Sequence, residues 1–398
     1  MRILTIGSSP YLLARSGKIN YSILSYLKKK GHIVGSAIRF NDINWHLTDE
    51  NGIVKFEINK ENICDLYTFV DSPQISPDIY EIMKKFQPEI VITIGDYQEN
   101  DFLFAIKMLH PKLFKWINIL TIDAIPINDN RKKSFDYMDY VLTTTKSGLE
   151  EVKRLSNVPS EYIPFGIEDD FCKLEKEKTD KLFIFGCGKN SQTSNLASLI
   201  KGISKASKIE ENISGYIHTN ISDKGDYDLL LLKERYGVNI GFPEGFVGLN
   251  DGLGKQELNE KYNKSDIIVD ASVRSATALS LLEGMSTGCI PVGTKIGAIK
   301  EVISLMSKEY QFFIESNMYV GQLEEEYEII APDSLSDTLL YLYELKKKDL
   351  EKFNKIKEES IVVASKFKIN NFLTKIEDIV EKSKNIKVSF VVESFEKM

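Results

Sequence analysis

The residues best placed to do chemistry lie between Tyr262 and Glu301. Ser272 to Thr277 is small or polar throughout except for Val273. This run follows the β-branched segment Ile267-Ile268-Val269 and precedes an apolar helical face of Leu279, Leu281, Leu282 and Met285, which carries one carboxylate, Glu283. A small-residue loop that leaves a strand and opens a helix presents backbone N–H groups to an anion such as phosphate. A carboxylate one to two turns into that helix can accept hydrogen bonds from ribose hydroxyls. Phosphate and ribose together describe a nucleotide. Two more carboxylates, Asp96 and Asp123, each close an apolar run, where either could orient a reacting group or cap a loop. Lys189 lies in the polar loop Gly188 to Asn195, and Arg274 in the small-residue loop. No histidine pair has zinc-ligand spacing, and His110 and His218 read as structural. There is no Gly-x-x-x-x-Gly-Lys-Ser/Thr phosphate loop.

These side chains need elements to hold them. Arg2 to Ile6 predicts a strand, Gly7 to Lys18 a loop, and Ile19 to Lys30 an amphipathic helix, with Ile33-Val34 opening the next strand. Further strands are expected over Glu89 to Ile94, Trp116 to Ile122 and Tyr140 to Thr144, with a helix from Ser147 to Leu155. A second series starts near Lys181 with the strand LFIFGCG, then helix Thr193 to Ala206, strand Gly215 to His218, helix Asp228 to Tyr236 and strand Val238 to Phe242. The segment already described and a helix over Ser334 to Leu345 complete it. Alternating strands and helices imply two doubly wound parallel sheets, joined near Pro164 to Lys173. Ligands of such sheets bind beyond the carboxyl ends of the strands.

Composition narrows the class. The chain has 398 residues, ample for two or three domains, and a net charge of −7 with acids and lysines well mixed. That balance argues against a protein whose main task is gripping nucleic acid. Lys28-Lys29-Lys30 and Lys346-Lys347-Lys348 read as solvated helix ends. The four cysteines, Cys64, Cys172, Cys187 and Cys289, have neither metal-type nor disulfide-framework spacing, and Cys187 and Cys289 are expected to be buried thiols. With no leader-like start and no apolar run long enough to span a bilayer, a cytoplasmic setting is expected, with peripheral membrane contact left open.

The segment resembles the nucleotide-sugar signature of glycosyltransferase family 4, retaining enzymes of the GT-B fold. That signature runs Glu-Gly-Phe-Gly-Leu, Leu-Glu-Ala-Met, Gly, Pro-Val-Val and a later Gly…Glu. Glu283-Gly284-Met285, Gly288, Pro291-Val292, Gly297 and Glu301 fall in register with it. Ser275 stands where the family has its first glutamate, and Ala276-Thr277-Ala278 replaces Gly-Phe-Gly. Elsewhere, Lys115 to Pro126 looks like Trp-Ile-x-Tyr…Asp-Gly-x-Pro, Asp139 to Thr145 is similar to an Ala-Asp-x-Val…Ser element, and Ile163 to Phe171 resembles Ile-Pro-His-Gly-Val-Asp…Phe. The loop Gly188 to Asn195 keeps a cation, Lys189, but has Thr193 and Ser194 where the family has arginine and lysine.

The resemblance implies a GT-B protein with an acceptor domain over residues 1–168, a nucleotide-sugar domain over 169–366, and a crossover helix and tail over 367–398, the helix itself being expected from Phe367 to Lys384. It implies transfer of a hexose or related sugar, with retention, from a nucleotide-diphosphate sugar to an acceptor hydroxyl. The acceptor could be a glycan, a lipid-linked sugar, a protein or a nucleic-acid base. Neither a metal nor a separate cofactor is implied. Glu283 would hold the ribose. Lys189, Arg274 and the backbone of Ser275, Ala276, Thr277 and Ala278 would hold the diphosphate, with Gly17 in a loop that closes over the donor. Asp123 and Asp96 would stand near the transferred sugar and the acceptor, while Glu301 could bind or merely cap a helix. The lost charges at Ser275, Thr193 and Ser194 leave a second expectation open, an inactive partner subunit of the same fold.

Overall fold

The computed structural model describes residues 1–12, 15–39, 47–48, 54–55, 63–69, 77–96, 101–175, 179–221, 225–244, 253–321 and 324–383. The chain forms two compact units. The first comprises Met1–Ile122, Asn128–Ile163 and the C-terminal segment from Asn370. The second comprises Pro164–Ile369 together with the short piece Asp123–Ile127.

In the first unit the order is β1 (Arg2–Gly7), α1 (Arg15–Lys29), β2 (Ile33–Arg39), the two-residue strands β3 (Leu47–Thr48) and β4 (Val54–Lys55), β5 (Asp65–Phe69), α2 (Pro77–Phe86), β6 (Ile90–Gly95), α3 (Asp101–Leu109), β7 (Lys115–Leu120), α4 (Lys132–Asp136), β8 (Tyr140–Thr143), α5 (Lys146–Leu155) and β9 (Ser160–Tyr162). Seven strands pair in parallel in the order β5-β2-β1-β6-β7-β8-β9. Helices on both faces bury the central strands, so these read as nearly continuous apolar runs rather than alternating ones. Ile3, Leu4, Ile90, Val91, Ile92, Ile117 and Ile119 are each at most 1% exposed. Thr145 caps α5 by accepting from Gly148 N–H, so the helix begins one residue earlier than its sequence pattern predicts.

In the second unit the order is β10 (Leu182–Cys187), α6 (Leu196–Ile209), β11 (Ile213–His218), α7 (Leu229–Tyr236), β12 (Ile240–Gly241), α8 (Lys255–Lys264), β13 (Ile267–Asp270), α9 (Leu279–Ser286), β14 (Ile290–Gly293), α10 (Gly297–Ile303), β15 (Phe312–Phe313), β16 (Ser316–Val320), β17 (Glu326–Ile330), α11 (Pro332–Lys348) and α12 (Leu350–Ala364). The main sheet is parallel in the order β12-β11-β10-β13-β14-β15, while β16 and β17 form a separate antiparallel hairpin. Asp228, expected inside α7, caps it instead by accepting from Leu231 N–H. The strand expected over Val238 to Phe242 shrinks to Ile240–Gly241. The hairpin and α12 have no counterpart in the sequence reading.

The last helix, α13 (Ile369–Lys382), begins at the end of the second unit and otherwise belongs to the first. Its buried face is Phe372, Leu373, Ile376, Ile379 and Val380. Its Glu377 accepts from Tyr26 Oη at 2.9 Å and pairs with Lys30 at 2.9 Å, tying the helix to α1. Cys289 is fully buried, whereas Cys187, expected to be buried, is only half-buried because its strand ends there.

Candidate functional site

Strand order places the candidate site within the second unit. From β10 the chain winds outward through β11 to β12, then returns to β13 on the other side of β10. The loops leaving β10 and β13 therefore diverge at the point where the winding reverses, which is where sheets of this kind hold ligands. Gly188 to Asn195 and Ala271 to Ala278 are those two loops. They are joined directly, Val273 N–H donating to Thr193 O at 2.9 Å.

The β13 loop is held at Ser272, Val273 and Ser275. Asp270 Oδ1 accepts from Ser272 N at 3.1 Å and from Ser272 Oγ at 2.6 Å. Thr294 Oγ1 donates to Ser272 O at 3.0 Å. Ser275 N donates to Asp123 O at 3.1 Å, and Ser275 O accepts from Ala298 N at 2.9 Å. Gly297 makes that last contact possible: at φ +44° it takes a left-handed conformation, and a Cβ there would lie 2.0 Å from Ser275 O. Ala278 then turns the chain into α9 at φ 45°, ψ 31°. A left-handed alanine costs about 1–2 kcal/mol, so this rim carries strain at the position where the resembling family has glycine.

One turn into α9, Glu283 Oε2 accepts from Tyr262 Oη at 2.9 Å. Tyr262 is fully buried, its ring 4.5 Å from that of Phe185 and 5.9 Å from that of Phe171. A half-buried carboxylate is thus fixed by a phenol that cannot move. A carboxylate has roughly four lone-pair positions, and the bond to Tyr262 takes one of them.

The β10 loop does not match the expected helix Thr193 to Ala206. Gln192–Ser194 is a single 3-10 turn, Asn195 is left-handed at φ 51°, and α6 starts only at Leu196. Neither Thr193 nor Ser194 caps that helix. Their hydroxyls lie 2.8 Å and 3.5 Å from Ser191 Oγ. Asn190 anchors the loop by donating from Nδ2 to Tyr227 O at 2.7 Å. Three polar atoms at the carboxyl ends of β10 and β11 are buried without a hydrogen-bond partner: Asn190 Oδ1, Asn195 Nδ2 and Thr219 Oγ1, on residues 3%, 5% and 2% exposed. Unpaired buried polar atoms cost about 1–3 kcal/mol each, so their grouping at this rim suits a ligand that satisfies them. Lys189 is exposed on the same loop. Below it, burial, with help from Cys187 and Glu244, pushes the Tyr216 hydroxyl up to about 12, and its ring stacks on His218 at 6.4 Å.

Asp123 lies in the piece that joins the second unit. Its Oδ2 is 3.2 Å from Arg274 Nε, and the Arg274 guanidinium sits 5.6 Å from the centre of the Tyr327 ring. The hairpin fixes this corner, because Glu326 N donates to Ile125 O at 2.8 Å and Glu328 N to Val273 O at 3.1 Å. Burial raises the Tyr327 hydroxyl above its ordinary range; Glu325 and Asp123 add to the shift and Arg274 opposes it. Arg274 therefore has an ionic and an aromatic neighbour at the loop. Ser275, Ala276, Thr277, Ala278, Glu283, Arg274, Asp123 and Lys189 all stand on these two loops or elements bonded to them. Glu301 lies half-buried on α10, the helix whose Ala298 N donates to Ser275 O.

The other two candidates belong to the first unit. There the winding reverses between β1 and β6. Asp96 follows β6 directly and is half-buried. Gly17, expected in an open loop, lies in the first turn of α1, which begins four residues earlier than its pattern predicts. A Cβ there would meet the carbonyls of Ser9 and Leu12 at 2.6 Å, so this glycine is needed for close packing of the turn after β1. Sequence reasoning missed Tyr262, the Asp123–Arg274 contact and the buried asparagines. All depend on residues distant in sequence. Among the described residues no group of three or more His, Cys, Asp or Glu is arranged to hold a metal ion, and no helix is long and apolar enough to cross a membrane.

No protein-family model matches the sequence, and no curated protein sequence does either. Solved structures do match over almost the whole chain. Sucrose-phosphate synthase from Thermosynechococcus elongatus has a TM-score of 0.71 at 12% identity, over 96% of this chain and 98% of its own. A glycosyltransferase from Rickettsia africae gives 0.69 at 18%, over 97% and 99%. A trehalose-6-phosphate protein of E. coli, solved with UDP-2-fluoro glucose, gives 0.66 at 12%, over 98% and 100%. What this chain shares with them is the GT-B fold, two Rossmann-like α/β units with parallel sheets.

Proposed function

We propose that the protein is a glycosyltransferase that takes a hexose or related sugar from a nucleotide-diphosphate donor and attaches it, with retention, to an acceptor hydroxyl. The observation that carries this reading is the pair of bonded loops where the second sheet reverses, with Glu283 set by Tyr262 one turn into α9. Two of the structures with this fold were solved with UDP-2-fluoro glucose, or with UDP and GlcNAc. In this reading Glu283 accepts from the ribose hydroxyls. Backbone N–H groups of Ala276, Thr277 and Ala278, with Arg274 and Lys189, face the diphosphate, which leaves with growing negative charge; the Ser275 N–H is already given to Asp123 O. Donors fixed in advance against such charge are the largest source of rate enhancement in many enzymes. Asp123 is assigned to the transferred sugar and Asp96 to the acceptor. Charge at the leaving group is met by side chains and helix ends, so the reading includes neither a metal nor a cofactor.

The test is to incubate the purified protein with a panel of nucleotide-diphosphate sugars and follow release of the nucleoside diphosphate, with and without sugar and lipid acceptors. Release with one donor is expected. No release from any donor by protein that unfolds cooperatively would sink the enzyme reading. Ser275, Thr193 and Ser194, which lack the charges of the resembling family, motivate a second reading as an inactive partner subunit. A folded protein to which no nucleoside diphosphate binds would favour that reading.

A further inference from the structure

The Asp123–Arg274 contact is built on a rigid backbone but is itself loose. Main-chain bonds fix Asp123 to Ser275, Ile125 to Glu326 and Val273 to Glu328. The ion pair between the side chains is less firm. Each is 34% exposed. Arg274 Nε lies 3.2 Å from the carboxylate, yet it is shielded from water and makes no directed hydrogen bond. Half-exposed ion pairs of this kind add little stability. A guanidinium gains much more from a phosphate, which it grips through two parallel, charge-assisted hydrogen bonds. It also stays cationic at every physiological pH. Tyr327 supports the guanidinium by its face, a contact that restricts it without fixing its direction.

We propose that Arg274 is a shared cation: it pairs with Asp123 while the nucleotide site is empty, and turns to the diphosphate when the nucleotide binds, uncovering the Asp123 carboxylate. The inference rests on the donor reading above and adds an order of events to it. Nucleotide binding and exposure of Asp123 become one step, so the carboxylate meets the sugar only after the diphosphate is seated. The loop backbone keeps its bonds.

The exchange makes a prediction of unusual sign. If Asp123 competes for Arg274, removing the competitor strengthens nucleotide binding. Calorimetry with the nucleoside diphosphate that the parent binds best, on the parent, Asp123→Asn, Arg274→Ala and the double variant, gives the coupling between the two residues. Asp123→Asn is expected to bind roughly three- to tenfold more tightly, and Arg274→Ala roughly tenfold more weakly. In the Arg274→Ala background, Asp123→Asn should change nothing. Equal tightening in both backgrounds would reduce Asp123 to general charge repulsion and overturn the exchange; so would unchanged or weaker binding by Asp123→Asn alone. If Arg274→Ala proves poorly folded, Arg274→Lys serves instead: a lysine cannot make the two-point contact, so it should bind more weakly than the parent and still respond to Asp123→Asn. A parent that binds no nucleoside diphosphate removes the function and the exchange together. A parent that binds without coupling removes only the exchange.

Discussion

The two ends of β13 treat charge in opposite ways. At its amino end Asp266, 3% exposed, lies between Lys346 at 3.0 Å and Lys357 at 3.2 Å and also accepts from Phe183 N at 3.2 Å. At its carboxyl end the loop presents Arg274 to Asp123 with a third of each side chain in water and no directed bond from Nε. The first unit repeats the arrangement less deeply, with a quarter of the Asp139 side chain exposed. Asp139, just before β8, meets Lys107 at 2.8 Å, Lys115 at 2.6 Å and Trp116 N at 2.9 Å. These two aspartates, at the amino ends of β13 and β8, are saturated by their partners and serve the fold. In the second unit the rim at the carboxyl ends keeps a strained alanine, two buried asparagines each with one unpaired amide atom, and a cation with no directed bond from Nε. Such local costs are expected where a ligand completes the structure.

The comparison breaks first at its sealed end. Asp266→Ala would leave two lysines facing a buried space, and removing one partner of a buried pair costs about 3–5 kcal/mol. Lys346 and Lys357 keep 11% and 15% exposure, so a loss of about 3 kcal/mol is expected, read as a lowered urea midpoint. Little loss would mean that the cluster is not sealed. The counterpart in the first unit is tested by pH. Burial alone would raise the Asp139 carboxyl, but hydrogen bonds from Lys107, Lys115 and Trp116 N together hold it below its ordinary value. A carboxyl depressed in the folded state stabilises above its unfolded value of about 4 and loses that contribution as pH falls through the folded value. Urea midpoints measured from pH 5 to pH 2 should fall less steeply in Asp139→Asn than in the parent. Parallel curves would remove Asp139 from the acid response.

The rim is sharpened by smaller effects. Ser275→Glu would place a second carboxylate next to Asp123, on a backbone that cannot give way, and should weaken nucleoside diphosphate binding roughly tenfold, about 1.4 kcal/mol. Tighter binding would show instead that the missing glutamate had been a defect. Ala278→Gly relieves the left-handed turn at α9 while loosening the unfolded chain, for a net gain of about 0.5–1 kcal/mol. A loss of stability in a thermal melt would show that this backbone is not strained.

Much of the fold was legible because buried parallel strands leave a plain mark. Ile90 to Ile94, Ile267 to Val269 and the LFIFGC run each form a central strand. Boundaries shifted where side-chain caps or close packing outweighed periodicity, as at Asp228, Gly17 and Asn195. Of the candidate site, the loop over Ser272 to Ala278 and the place of Glu283 on α9 were legible, since both follow from local order along the chain. The partners were not. Tyr262 meets Glu283 only because Phe185 and Phe171 hold its ring, and Asp123 meets Arg274 only because one short piece of the N-terminal half joins the second unit. Nothing in local spacing encodes either meeting. The β16–β17 hairpin escaped for a related reason: Met318, Tyr319 and Val320 are all exposed, so its first strand lacks the alternation that marks a half-buried one.

The proposed function requires that the second unit bind a nucleotide through Glu283. The direct measurement is calorimetric titration of the parent and of Glu283→Ala with a set of nucleoside diphosphates. One of them should bind the parent. The variant should bind it roughly ten- to hundredfold more weakly, the loss of about 1.5–3 kcal/mol expected when charge-assisted hydrogen bonds to a ligand are removed, while its thermal unfolding stays close to that of the parent. Equal affinity in both proteins would contradict the assignment, and a variant that unfolds would show that Glu283 serves Tyr262 and the fold alone.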